Sequence, residues 1–291
     1  MYFAKLHGLG NDFLVLRAGE VRAGTLPLPE LARRICERHG GVGADGILVY
    51  RNTEGDPEAE FSVEIFNADG SMAEISGNGV RCLTAFLNHS GEHLTGEMRI
   101  RTVAGIKRLK FLQKQGSALV YRSSMGRPIT EPARIPARID AGPGPVLQYP
   151  LLFDDGVVNV TLCSMGNPHC STFWPDLGHA PFERLGPVLE HHPCFPNRTN
   201  VEFVQVLDRH HVRVAFWERG VGPTKASGTG SSAAAVASIL NGFVETPVTV
   251  HTDLGSLLVE WVPGRELFLT GPAEFVCSGE YSVAGPLLEP A

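Results

Sequence analysis

Apolar positions in this chain fall mostly into short runs bounded by turn residues. Phe13-Leu14-Val15-Leu16, Ile47-Leu48-Val49-Tyr50 and Phe61-Ser62-Val63-Glu64-Ile65-Phe66 read as strands, the last with period-two alternation. Gly8-Leu9-Gly10-Asn11-Asp12 turns the chain before the first of them, and a polar hairpin over 52–60 separates the other two. Helical spacing appears at Pro29 to Arg38, with Pro in the first turn, Leu31, Ile35 and Cys36 on one side and Gly40-Gly41 as the stop. It appears again over 79–88, where Val80, Leu83, Phe86 and Leu87 are apolar. Met98 to Thr102, Gly105 to Phe111 and Ala118 to Tyr121 continue as a strand meander, and the Pro-rich run from Pro128 to Pro150 reads as a connector.

The second half repeats this scheme. Strands at Val157 to Met165, Asn200 to Val206 and His211 to Trp217 precede a helix from about Ser231 to Leu240. That helix is small on every side (Ala233, Ala234, Ala235, Ala237), which predicts a buried central helix closely enclosed by strands. Strands at Val248 to Thr252, Ser256 to Trp261 and Glu266 to Thr270 follow. Many short strands around one helix per half predict an α+β fold of two pseudo-symmetric domains, each a strongly curved mixed sheet wrapped around a central helix. The expected division is 1–121 for the first domain and 122–274 for the second, with about 275–291 rejoining the first.

Each central helix is entered through the same four-residue idea. Ser76-Gly77-Asn78-Gly79 opens the first and Ser227-Gly228-Thr229-Gly230 the second. Such an entry presents unpaired backbone N–H groups and the positive end of a helix dipole, a socket for an anion. One Ser-Gly-x-Gly is more often a cap than a ligand site, but two matched copies suggest one carboxylate gripped from both sides. Neither loop is a Gly-x-Gly-x-x-Gly with a following acid, and no Gly-x-x-x-x-Gly-Lys-Ser/Thr occurs, so a nucleotide is not expected. Asn67, Asn78, Asn167, Asn200 and the pair Glu218-Arg219 sit at strand ends or turns. Arg219 can fork onto a carboxylate while Glu218 accepts from an ammonium, which suits a zwitterionic amino acid. Asn at a turn also has a purely backbone use, and Glu218-Arg219 alone would read as a surface pair.

Composition narrows the alternatives. The 291 residues carry a formal net charge of -6, which leaves no polybasic surface for nucleic acid or anionic lipid. No apolar run approaches membrane-spanning length and the first residues form no signal core, so a cytoplasmic location is expected. Six cysteines are too few for a disulfide scaffold. Cys163, His169 and Cys170 have no second ligand pair behind them, so no metal is expected. A homodimer is compatible with the sequence and not required by it.

The chain resembles the diaminopimelate epimerase family over nearly its whole length. The resemblance is carried by Lys5 to Phe13, Phe66 to Ser71, Gly77 to Cys82, Ser164 to His169, Glu218-Arg219-Gly220 and Gly228-Thr229-Gly230, all in order. It implies a cofactor-independent amino-acid epimerase acting on a small-molecule amino acid, diaminopimelate, by α-proton transfer that interconverts the LL and meso forms for lysine and cell-wall precursor synthesis. It implies that Asn11, Asn67, Asn167, Asn200, Glu218 and Arg219 hold the substrate. The backbone of Gly77-Asn78 and Gly228-Thr229 would take the carboxylate at the reacting carbon, with His169 and Glu218 tuning the catalytic pair.

The family's two catalytic cysteines correspond to Ser76 and Ser227 in this chain. A hydroxyl is a far weaker acid than a thiol and needs a neighbouring base to act. Cys82, six residues past Ser76, is expected to be a packing residue of the helix. Gly46 stands where the family usually has a glutamine near the substrate. These departures keep two further readings open, another amino-acid racemase or isomerase of the same superfamily and a non-catalytic amino-acid-binding homologue.

Overall fold

A two-residue turn starts the architecture. β1 (Tyr2–Gly8) and β2 (Asn11–Arg17) form an antiparallel hairpin closed by Leu9 and Gly10 at φ 50° and 76°. Both central residues must adopt positive φ in such a turn, and a leucine accepts that conformation at a cost of about 1–2 kcal/mol. The computed structural model describes residues 1–21, 26–93, 96–142, 144–154 and 156–282. Within it the chain divides into two compact units, Met1–Val120 with the described residues from Pro272 onward, and Tyr121–Gly271. The last nine residues, 283–291, part of the segment expected to rejoin the first domain, lie outside the described residues.

In the first unit α1 (Leu28–Ile35) leads to β3 (Gly46–Asn52), β4 (Phe61–Asn67), β5 (Met72–Ala73), α2 (Gly77–His89), β6 (Glu97–Thr102) and β7 (Gly105–Gln115). β2 runs parallel to β3, β3 antiparallel to β4, and β4 antiparallel to β5 and parallel to β6, which pairs antiparallel with β7. β2 and β3 are buried on both faces because α1 and α2 cover opposite sides, so their residues are apolar without alternation. Phe3, Leu14, Leu16, Leu31, Ile35, Ile47, Val49 and Phe66 form the core on the α1 side. α1 stops three residues before the expected Arg38, because the Ile35 carbonyl accepts the Val42 and Gly43 amides as the chain turns back.

The second unit comprises β8 (Ala118–Gly126, which enters it at Tyr121), β9 (Tyr149–Phe153), β10 (Gly156–Ser164), β11 (Pro168–Phe173), α3 (Phe182–Glu190), β12 (Asn200–Val206), β13 (His211–Glu218), β14 (Gly222–Thr224), α4 (Gly228–Leu240), β15 (Val248–Thr252) and β16 (Gly255–Glu260). β17 (Leu267–Glu280) begins in this unit and ends in the first, where it pairs antiparallel with β1. The pairings repeat the first unit: β10 antiparallel to β11, β11 parallel to β12, β12 antiparallel to β13, β13 antiparallel to β14 and parallel to β15, β15 antiparallel to β16. Each unit is thus a mixed sheet holding one helix, α2 or α4, and the fold class is the expected α+β. α4 is buried from Gly228 to Ser238, as its alanines require. Gly230 is needed there, since a Cβ would stand 2.8 Å from the Phe216 ring.

Candidate functional site

A first cluster gathers at the entry to α2. Ser76 adopts an extended conformation (φ -135°, ψ 117°) and its Oγ accepts the Gly79 amide at 3.0 Å, which makes it the helix N-cap. The amides of Gly77 and Asn78 precede the first intrahelical bond, so they are donors left over for a ligand. Asn78 is buried and donates through Nδ2 to Asn11 Oδ1 at 3.1 Å, while its own Oδ1 accepts from Arg81. Asn11 in turn donates to Asp45 Oδ2 at 2.8 Å. A directed chain of amides therefore runs Arg81, Asn78, Asn11, Asp45, and it fixes which way both asparagines face.

Charge is distributed unevenly along that chain. At the Asp45 end Lys5 and Arg38 bracket Asp12 at 2.9 and 3.1 Å, and Arg38 also reaches Asp45 at 2.8 Å. Burial alone would raise the Asp12 carboxyl, but bonds from Arg38 and Lys5 win and hold it below the ordinary carboxylate range. At the other end Arg81 is fully buried, has no carboxylate partner among the described residues, and burial lowers its pKa to about 10. Cys82 is a packing residue as expected: it is buried and its thiol is pushed up to about 12. Asn67 stands apart from this set, its Nδ2 donating to Ser71 Oγ at 2.9 Å across the turn centred on Gly70.

A second cluster, in the other unit, repeats the cap. Ser227 has φ -139° and ψ 126°, within 10° of Ser76 in both angles, and its Oγ accepts the Gly230 amide at 3.2 Å. Gly228 and Thr229 offer the leftover amides. Upstream, Glu218 Oε1 accepts from Thr224 Oγ1 at 2.6 Å. Both ends of the Asn200 amide are engaged, Nδ2 on the Pro168 carbonyl at 2.9 Å and Oδ1 on the Arg219 amide at 3.0 Å. Asn200 thereby ties the turn carrying Asn167 to the turn carrying Arg219. Arg219 is half-buried, and its guanidinium reaches the Asn197 carbonyl at 3.4 Å.

His169 is buried in β11. Its Nδ1 lies 2.6 Å from Glu202 Oε1 and its Nε2 3.0 Å from Asn167 Oδ1, and Ser171 donates to the second oxygen of Glu202 at 3.0 Å. The structure thus brings together Ser76, Gly77, Asn78 and Asn11 in one unit, and Asn167, His169 and Asn200 with Arg219 in the other. Sequence reasoning missed Asp45, Arg81 and Glu202, which orient those residues. Glu202 did carry a signal, being an acid inside the apolar run Val201 to Val204.

The leftover backbone donors at each cap suit an anion such as a carboxylate, and the chain as a whole matches known proteins. A family profile described as diaminopimelate epimerase matches residues 3–130 and 161–276. The chain is 44% identical over 281 residues to a diaminopimelate epimerase of Pelotomaculum thermopropionicum, covering 97% of this chain and 99% of that protein. It is also 44% identical to one of Moorella thermoacetica, with the same coverage. Among solved structures, a probable proline racemase from Agrobacterium radiobacter K84 superposes with a TM-score of 0.71 at 15% identity, covering 97% of this chain and 93% of that one. A hydroxyproline epimerase from Agrobacterium vitis gives 0.68 at 16%, covering 98% and 93%. At those identities the structural likeness speaks for the fold alone. The near-full-length matches, by contrast, leave no major element of either unit unaccounted for, and the chain belongs to the diaminopimelate epimerase family.

Proposed function

We propose that this chain is a cofactor-independent epimerase of diaminopimelate that exchanges the α-proton between the LL and meso forms. The observation that carries the reading is the pair of matched caps, Ser76 before Gly77-Asn78 and Ser227 before Gly228-Thr229, in a chain 44% identical along its length to curated diaminopimelate epimerases. Each cap is an anion socket in this reading. Their leftover amides and helix dipoles hold the carboxylate at the reacting carbon and stabilise the charge that develops when the α-proton leaves. Asn11, Asn67, Asn167, Asn200, Glu218 and Arg219 bind the remaining polar groups, with Arg219 facing the distal carboxylate and Glu218 an ammonium. His169 and Glu218 tune the two proton-transfer positions. A cytosolic biosynthetic setting goes with this activity, and no described helix is long and apolar enough to cross a membrane.

Ser76 and Ser227 occupy the proton-transfer positions, and this sets the expected rate. Each hydroxyl oxygen already accepts a backbone amide, and neither has the acidity of a thiol at a helix N-terminus. The same observation favours a second reading, a protein that binds the amino acid with little turnover. Purified chain incubated with LL-diaminopimelate in D₂O, beside a Ser76→Cys, Ser227→Cys double variant, separates the two. Deuteration of the α-carbon that is slow in the native chain and fast in the double variant is the expected result. Tight binding without exchange by either form would leave the binding protein as the function.

A further inference from the structure

The two units repeat strand for strand, so their buried positions can be compared one by one. In the first unit Phe13 pairs with Gly46 and Ile47 with Phe66; in the second His169 pairs with Asn200 and Val201 with Trp217. This register makes His169 the counterpart of Phe13, Ser171 of Val15, and Glu202 of Leu48. All six are buried. Period-two alternation turns the second set away from the core cluster formed with α3, toward the face on which α4 packs. One repeat therefore shows that the fold is satisfied with three apolar side chains where the other carries a histidine, a hydroxyl and a carboxylate. Burying such a set costs stability relative to well-packed apolar residues, so its presence in one unit only calls for a chemical reason.

The geometry supplies that reason. Glu202 cannot leave its place, since Oε1 is held by His169 and Oε2 by Ser171, and its side chain is 1% exposed. An ionised carboxylate only accepts, so the 2.6 Å contact places a proton on His169 Nδ1. Nε2 is then the second ring nitrogen, and when it carries a proton it donates to Asn167 Oδ1 at 3.0 Å in the substrate-binding turn. The imidazolium makes both contacts at once, its charge offset by Glu202, whereas the Nδ1–H tautomer keeps a bond at Nε2 only if the Asn167 amide turns its N–H₂ toward the ring. We propose that Glu202 is a positioning residue of the reaction, holding the Nδ1 proton of His169 so that Nε2 works as an acid–base atom beside Asn167. The inference rests on the epimerase reading above, in which His169 serves the proton-transfer positions.

The test has a spectroscopic arm and a kinetic arm. In native chain labelled with ¹⁵N-histidine, His169 Nδ1 is expected to be protonated and its proton to resonate far downfield, as a short bond to a carboxylate requires. Glu202→Gln, which keeps the shape, is expected to lose that downfield proton while the rest of the spectrum stays dispersed. In the Ser76→Cys, Ser227→Cys background, Glu202→Gln is expected to slow α-deuteration at least tenfold with KM changed less than twofold. A triple variant, His169→Phe, Ser171→Val, Glu202→Leu, copies the first unit's residues and guards against misfolding; it should fold as stably as the parent and exchange no faster than Glu202→Gln. A downfield proton that survives in Glu202→Gln, or exchange unchanged in either variant, would overturn the proposal and leave the epimerase reading intact. Absence of exchange from the parent double-cysteine chain would overturn that reading, and this inference with it.

Discussion

The Glu190 carboxylate accepts the backbone amide of Gly220 at 2.7 Å, so the end of α3 grips the turn that carries Glu218 and Arg219. Its other oxygen takes the Trp217 indole N–H at 2.8 Å, and Arg198 approaches at 3.3 Å. The bonds are made by a side chain only 5% exposed, where a lost partner is expensive. Burial pushes the Glu190 carboxyl up, yet the donors from Trp217 and Gly220 outweigh it and hold the group below the usual carboxylate range.

Glu190→Gln should therefore turn an amide N–H₂ against either the Gly220 or the Trp217 donor and cost about 2 kcal/mol. The sign of the pH effect follows from the lowered folded value. The carboxylate's contribution is present above the unfolded value of about 4.3 and is lost as pH falls through the folded one. Urea unfolding followed by far-UV circular dichroism at pH 7 and pH 3.5 should show native and variant converging at the acid end. A gap of equal size at both pH values would refute the charge-based account.

The two caps make a separate expectation. Ser76→Ala and Ser227→Ala each remove the acceptor of a helix-entry amide, at Gly79 and Gly230, for a loss of about 1 kcal/mol apiece. Because the serines belong to different units, the losses should add in the double variant. Thermal unfolding of the two singles and the double checks both points, and no loss in either single would mean that the caps do not contribute to stability.

How far the sequence could be read depended on whether the signal was local. The caps, α2 and α4 were legible because Ser-Gly-x-Gly followed by an apolar or alanine run is a contiguous pattern. α3 was not, since Gly186 and Pro187 lie inside it and both argue against a helix. Gly186 is there because a Cβ would stand 2.4 Å from the Trp217 ring, a contact formed 31 positions downstream. The repeat itself held the missing clue: a helix between β2 and β3 implies one between β11 and β12. The site shows the same division. Asn11, Asn78, Asn167 and His169 were found as motif residues, whereas Asp45, Glu190 and Glu202 matter through partners 27 to 34 positions away, which no local spacing reveals.

At Gly46, where the resemblance leads to the expectation of a glutamine, a side chain has little room. Gly46 pairs with Asn67 at the start of β3, and a Cβ at Gly46 would meet the Phe66 carbonyl oxygen at 2.5 Å and the Phe13 ring at 3.3 Å. The first contact is with backbone, so a substitution must move β4 rather than a side chain. Gly46→Gln should cost about 1–3 kcal/mol. Calorimetric titration with LL-diaminopimelate should show affinity weakened or unchanged, because displacing β4 moves Asn67. An unshifted urea midpoint together with tighter binding would show that the glutamine fits and the strands yield freely.

His211 and His251 stack across the parallel strands β13 and β15, with ring centroids 5.2 Å apart and planes 15° from parallel. His211 Nδ1 lies 2.9 Å from His251 Nε2, and Ser256 Oγ lies 2.9 Å from His251 Nδ1. Burial first, then the proximity of His211 and Arg213, lowers the His251 pKa; Asp208 opposes this more weakly. Below about pH 6.5 the unfolded chain takes up a proton at this residue that the folded chain refuses until lower pH. The unfolded state then binds more protons, so stability must fall as pH drops through that window. Native protein should lose urea resistance between pH 7 and pH 5.5, and His251→Gln, which cannot charge, should lose less over the same range. The window lies above that of Glu190, so the two effects separate on one pH series. If the variant's midpoint falls as steeply as the native one between pH 7 and pH 5.5, the histidine pair is not the titrating element.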